Sequence, residues 1–264
     1  MAAIEPMEQF MIHKIVAGPV ITIPGAPAID LSITNSVLFM LIAAAILAGF
    51  FFVASRREIV PGRLQAMAEM LYGMVDGTLT GGVIGDRGRP FLPFVFALFM
   101  LILMLNLVGL IPGGFSVTSQ LAVTAALAVM TFLTVIVVGI VRNGFGVLKL
   151  FWPSGVNPGM AFFIGFFEFI SFLIRPMTLA MRLFGNMIGG HVVIYMFASF
   201  VVGLAVFAMN GGLASLGFGV SVVSFGMVVG LMLLELVVAF LQAFVFAALT
   251  CVYLNEMVNL DHAH

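Results

Sequence analysis

The sequence predicts an all-α polytopic membrane protein. It has five membrane-embedded helices, the last two a long, strongly tilted hairpin, and an amphipathic helix on the membrane surface. Three observations carry this. Of the 264 residues, 63% are hydrophobic and only 8% charged, where a soluble domain is about 45–50% apolar and about a quarter charged. Five apolar stretches reach the ~20 residues needed to cross a hydrocarbon core of ~30 Å. The last two run on well past that length.

Residues 1–34 read as an extramembrane segment and 35–264 as a single integral membrane domain. The start, MAAIEPMEQFMIHK, has two glutamates and no basic residue before His13. It lacks both the positive n-region of a signal peptide and the arginines of a transit peptide, so insertion is expected to rely on the later apolar segments. AGPVITIPGAPAID, residues 17–30, mixes Pro and Gly with short β-branched runs and predicts a turn or small hairpin. The first span follows at 35–54.

Residues 61–79, PGRLQAMAEMLYGMVDGTL, differ in kind. Leu64, Met67, Met70, Leu71, Met74 and Val75 recur at helical spacing, with Gln65, Glu69 and Asp76 between them. That pattern predicts an amphipathic helix along the membrane surface; a buried re-entrant segment is the alternative. The second and third spans are expected at 91–111 and 119–141, the fourth at 158–208 and the fifth at 218–256.

Basic residues near span ends set orientation. Arg56, Arg57, Arg63, Arg87 and Arg89 lie between spans one and two, and Arg142 and Lys149 between spans three and four. With five spans, these two connections share one face. That face is expected to be cytoplasmic, with the N-terminus periplasmic and the C-terminus cytoplasmic. A net charge of −1 excludes a nucleic-acid footprint of the usual basic kind. The single cysteine, Cys251, has no intramolecular disulfide partner. No metal and no cofactor is expected.

From Pro158 there is no strong break until Asn210–Gly212, and from Phe218 none until about Glu256. A helix of 35 to 40 residues is roughly 50–60 Å long, nearly twice the hydrocarbon thickness. Average tilts are only about 20°, so these segments must tilt steeply, kink or project. Pro176 and the Gly189–Gly190 pair are candidate bends. Polar residues spread along both segments favour steep tilt.

Those polar residues are the candidate functional set. Glu168, Arg175 and Arg182 are seven residues apart and share one helical face, which Asn186 extends. His191, nine after Arg182, lies about 180° round the helix. Glu235 and Gln242 share a face of the last segment, with Asn255 and Glu256 at its end. Counting outward from the Asn210–Gly212 turn puts His191 level with Glu235, and Arg182 level with Gln242 and deeper. Glu168 falls nearer the cytoplasmic face.

Each has a plainer reading. Arg175, before Pro176, would satisfy freed carbonyls or snorkel; Asn186 and Gln242 would be interhelical hydrogen-bond glue worth about 1 kcal/mol. His191 would be a packing histidine and Glu168 a near-interface charge. For Arg182 the plain reading is weak, because a central arginine costs about 2.5–3.5 kcal/mol on insertion and such residues mark ion pathways. Two groups of titratable sites at different depths, separated by a cation that keeps its proton, make a divided proton path. The chain offers no obvious shuttle past Arg182, so a partner is required, and a mobile carboxylate on it would serve.

MRLFGNMIGGH, followed by LELVVAFLQAFVFAALTCVYL, resembles subunit a of the F-type ATP synthases. FLPFVFALFMLILMLNLVGLIPG and the MEQF start extend the likeness over most of the chain. The resemblance implies a membrane stator subunit of a bacterial inner membrane, non-catalytic, beside a ring of c subunits, with peripheral-stalk b-type subunits and membrane lipid as further partners. It implies that Arg182 faces the c-ring carboxylates, flanked by Asn186 and Gln242. It places Glu168 in the cytoplasmic half-channel and Asn106 in the second-span N-L motif. Many bacterial members have glutamate where this chain has His191 and histidine where it has Glu235; the exchange here is that of mitochondrial-type members. It keeps one acid and one imidazole at one depth, as a facing pair in the outer half-channel allows. The rival expectation is a self-contained ion-coupled secondary transporter, against which the absence of an internal repeat counts. An intramembrane hydrolase would need a nucleophile and base in reach, and no such set is present.

Overall fold

A computed structural model of the chain describes residues 11–16, 20–21, 29–30, 32–55, 62–111, 114–144, 146–147, 158–209 and 214–259. The MEQF start, Arg56, Arg57, Pro61, Lys149 and the Asn210–Gly212 turn lie outside the described residues. Four short strands come first: β1 (Lys14–Val16), β2 (Val20–Ile21), β3 (Ile29–Asp30) and β4 (Ile33–Thr34). β1 pairs antiparallel with β4, and β2 with β3. The expected small hairpin is therefore a nested antiparallel pair. Asn35 ties it to the first helix: its Nδ2 donates to the Met11 carbonyl at 3.0 Å, and its Oδ1 accepts from the His13 and Ser36 amides.

Among the described residues, five helices are long and apolar enough to cross a membrane, in agreement with the expected fold class. They fall in α1 (Asn35–Ala54), α3 (Leu92–Gly109), α4 (Leu121–Asn143), α5 (Pro158–Met209) and α6 (Ala214–Val258). α5 has 52 residues and α6 45, ~78 Å and ~68 Å at 1.5 Å per residue. α5 ends one residue beyond the stretch expected at 158–208, and α6 starts before and ends after the stretch expected at 218–256. α5 passes through Pro176 without losing helical assignment, although proline removes one ladder bond there.

The surface helix differs from its sequence reading. α2 spans only Arg63–Met74 and has no buried residue, while Val75–Ile84 forms a wider π-type helix that buries Val75, Leu79, Thr80 and Ile84. The cause is local. Thr80 Oγ1 donates back to the Asp76 carbonyl at 3.1 Å, which competes with the regular ladder. A Cβ at Gly81 would sit 2.9 Å from the Asp76 carbonyl oxygen, so a side chain at that position opposes the wide turn.

The chain forms two compact units, with α1, α3, α5 and α6 contributing to both. One comprises Met1–Ala45, Met104–Gln120 and Phe184–Leu241; within it Ser221 Oγ of α6 donates to the Val201 carbonyl of α5 at 3.1 Å. The other comprises Ile46–Leu103, Leu121–Leu183 and Gln242–His264. Its α4 buries Thr124, Ala128, Thr131, Val135 and Gly139 along one stripe. Small residues there let neighbouring helices approach closely, and the Gly139 backbone abuts Met257 of α6. Asn143 Nδ2 at the end of α4 donates to the Met257 carbonyl at 2.6 Å.

Candidate functional site

In the first unit, antiparallel packing of α5 and α6 brings His191 and Glu235 together. Both are buried, and His191 Nε2 lies 3.8 Å from Glu235 Oε1. That distance is beyond direct hydrogen-bond reach and suits a bridging water. Neither Glu235 oxygen has a hydrogen-bond partner among the described residues. A cavity of about 280 Å³ adjoins the pair, lined by Gly109, Gly114, His191, Tyr195, Met232 and Glu235 among others. It has room for several waters at about 30 Å³ each. A second cavity, of about 190 Å³, reaches Glu235 past Asn186, Gly189 and Gly190.

Gly190 makes the seat for the carboxyl group. A Cβ there would lie 2.5 Å from Glu235 Oε1 and 2.9 Å from its Cδ, well inside van der Waals contact. The contacted atoms are the far end of a flexible side chain, so Gly190→Ala is expected to fold and to push the carboxyl away from His191. The separation of the His191 ring and the Glu235 carboxyl in the structure of the variant checks this; an unchanged separation would refute the seat.

The sequence-predicted residues fall as follows. Asn106 is fully buried on α3 and donates Nδ2 to the Ala239 carbonyl at 3.2 Å, tying α3 to α6. Asn186 is half-buried, and its Nδ2 has no partner among the described residues. In the second unit, Gln242 is buried on α6 while Arg182 is exposed on α5. Arg182 has no ion-pair partner among the described residues. That unit also holds a cluster: Arg175 pairs with Glu168 at 3.3 Å and with Glu256 of α6.

The cluster corrects the plain reading of Arg175 as a residue that snorkels or satisfies freed carbonyls. Its guanidinium is ion-paired to two acids and lies over the Phe172 and Tyr253 rings. Sequence reasoning noted Glu256 only as a helix end and left it out of the site. Counting from the turn puts Arg175 about 36 residues before it and Glu256 about 45 after, so matching by backbone level separates them. The structure nevertheless pairs them. The available signal was charge: Arg175 had no acid but Glu168 on its own helix face. Gly190 was noted only as a candidate bend, because its value is the side chain it lacks.

Two similarities complete the picture. Residues 37–255 match the family model described as ATP synthase A chain. "ATP synthase subunit a" of Rhizobium rhizogenes is 47% identical, over 96% of this chain and 97% of that protein. Its counterpart in Rhodopseudomonas palustris is 44% identical over 98% and 100%, and that in Mesorhizobium japonicum 45% over 98% of each. The match runs from the first turn of α1 to the last turn of α6 and takes in His191, Glu235, Glu168, Arg175 and Arg182, ending one residue short of Glu256. With five membrane-length helices and likeness along nearly its whole length, this multi-pass membrane protein belongs to the ATP synthase A chain family.

Proposed function

We propose that this chain is the proton-translocating stator subunit of a bacterial F-type ATP synthase, non-catalytic itself, which couples proton flow to rotation of a c-subunit ring. The observation that carries this is the order of groups along α5. The Glu168–Arg175 cluster comes first, Arg182 stands exposed next, and His191 follows, buried against Glu235 of α6. Two titratable groups of sites with a fixed cation between them in chain order conduct no proton straight through. A carboxylate on a moving partner must carry it past the arginine.

In this reading protons enter from the periplasm through the cavity at His191 and Glu235, the outer half-channel. They neutralise a c-ring carboxylate, which then leaves Arg182 and travels through lipid on the rotor. A charged carboxylate is strongly disfavoured in hydrocarbon, so only the protonated form makes the circuit. The returning acid releases its proton near Glu168, the cytoplasmic half-channel, and the resulting carboxylate is drawn to Arg182 again. Asn186 and Gln242 flank the arginine and supply uncharged hydrogen-bonding groups. Asn106 holds α3 to α6 beside the outer path. The basic connections face the cytoplasm, with the N-terminus periplasmic. Peripheral-stalk b-type subunits keep the chain from turning with the ring.

Affinity purification of the tagged chain from bacterial inner membranes in mild detergent tests the reading. Recovery with a ring of small hairpin subunits and the rest of an ATP synthase is expected. Recovery as a lone carrier that transports a solute in vesicles would sink it.

A further inference from the structure

The larger cavity beside His191 and Glu235 has a direction. On α5 its wall is His191, Ile194, Tyr195 and Ala198, a single stripe at helical spacing. On α6 the wall is Glu235, Met232 and Val228, a matching stripe that runs back along the chain from the acid. Because the helices are antiparallel, both stripes lead toward the Met209 end of α5 and the Ala214 end of α6. Seven residues on each helix carry the cavity ~10 Å beyond the level of the pair. The stator reading places that end of the hairpin toward the periplasm.

Beyond the pair the walls are apolar, with one exception. Among the described residues that line the cavity, only His191, Glu235 and Tyr195 have polar side chains. Tyr195 stands one turn outward of His191 on the same face of α5 and is half-buried. Its hydroxyl is neither sealed from water nor hydrogen-bonded to a described residue. Ring packing does not explain that hydroxyl, since phenylalanine fills the same space with no polar tip to desolvate. The chain uses phenylalanine 28 times and tyrosine only three times, so packing alone would be met by its commoner aromatic. α3 closes a further side of the cavity with Gly109, its last residue, and with Leu110 and Ile111. The carbonyl end of a helix favours positive charge, here an excess proton on water or imidazole.

We propose that Tyr195 is a proton-relaying residue of the inlet, which hands protons from cavity water to the His191–Glu235 pair. This rests on the stator reading above. The relay is an exchange. An O–H bond of a hydronium ion breaks as the phenolic oxygen takes its proton. The phenol's own O–H bond breaks in turn, and that proton forms a new O–H bond on the water beside His191. Each bond broken is replaced by one formed, so the phenol is neutral before and after. The titratable groups that share the cavity with Tyr195 are His191 of α5 and Glu235 of α6, and the end of α3 brings none.

Membranes carrying the whole complex test this, with rates normalised to assembled complex. Tyr195→Phe keeps the ring and removes only the hydroxyl, so assembly should match wild type. Proton-driven ATP synthesis is expected to fall about fivefold in Tyr195→Phe at neutral outer pH. Tyr195→His again offers a donor and an acceptor, and should recover to within about twofold of wild type. The deficit should also depend on proton supply. With the driving force held constant and the outer pH lowered by about two units, entry no longer limits turnover. The Tyr195→Phe deficit should then shrink to less than about twofold, whereas a packing defect would persist at every pH. Three results overturn the proposal: a wild-type rate in Tyr195→Phe, a loss that does not shrink at low outer pH, or a Tyr195→His variant no faster than Tyr195→Phe. Arg182→Ala assayed in parallel separates the two readings. Abolished synthesis in Arg182→Ala beside a wild-type rate in Tyr195→Phe sinks this inference alone, whereas coupled synthesis in Arg182→Ala sinks the stator reading.

Discussion

Arg182→Ala is expected to abolish proton-driven ATP synthesis while leaving the complex assembled. The sign of the stability effect is the instructive part. A central membrane arginine costs about 2.5–3.5 kcal/mol on insertion, and Arg182 is exposed on α5 with no ion-pair partner among the described residues. No ion pair among the described residues repays that cost, so the alanine variant should insert and assemble at least as well as wild type. Function should behave the other way. Without the guanidinium, a returning rotor carboxylate has no cation to hold it, and no charge bars a direct proton leak. Assembled complex with no coupled synthesis, and faster passive proton flux once the catalytic head is stripped off, is the expected pair of results. Coupled synthesis in the variant would refute the role of the arginine as barrier.

Glu235→Gln should produce the second largest loss, a fall of about 10²-fold or more in proton-driven synthesis, the usual scale for removing a positioned acid–base group. Glutamine fills the seat against Gly190 and keeps a polar end 3.8 Å from His191, so packing and assembly should survive. What it lacks is a group that takes up and releases a proton. The loss should therefore lie in turnover and not in complex content. Measuring both on the same membranes decides it, since a variant that loses complex and turnover in parallel would mean that Glu235 serves packing alone.

The fold class was legible because hydrocarbon imposes it: long apolar runs have few folded forms, and each run that reaches membrane length became a helix. The proximity of His191 and Glu235 followed from counting residues outward from the turn, since antiparallel helices of constant rise keep partners near one level. The same count failed for Arg175 and Glu256, which pair although it sets them about nine residues apart in level. The limit of the surface helix at Met74 was hidden for another reason. Periodicity continues past that point, and the change to a wider turn depends on the Thr80 hydroxyl and on which carbonyls approach Gly81. Those are relations between atoms that a hydrophobic pattern does not encode. The value of Gly190 was hidden most completely, because a missing side chain has no signature of its own.

That glycine also constrains the order in which the site can change over generations. Acid and imidazole are able to trade places between positions 191 and 235 because each faces the other across a few ångströms. The trade passes through single-substitution intermediates carrying two acids or two imidazoles. With glutamate at 235 the carboxyl occupies the space left open at 190, so a side chain acquired at 190 would have to displace that carboxyl before any such exchange began.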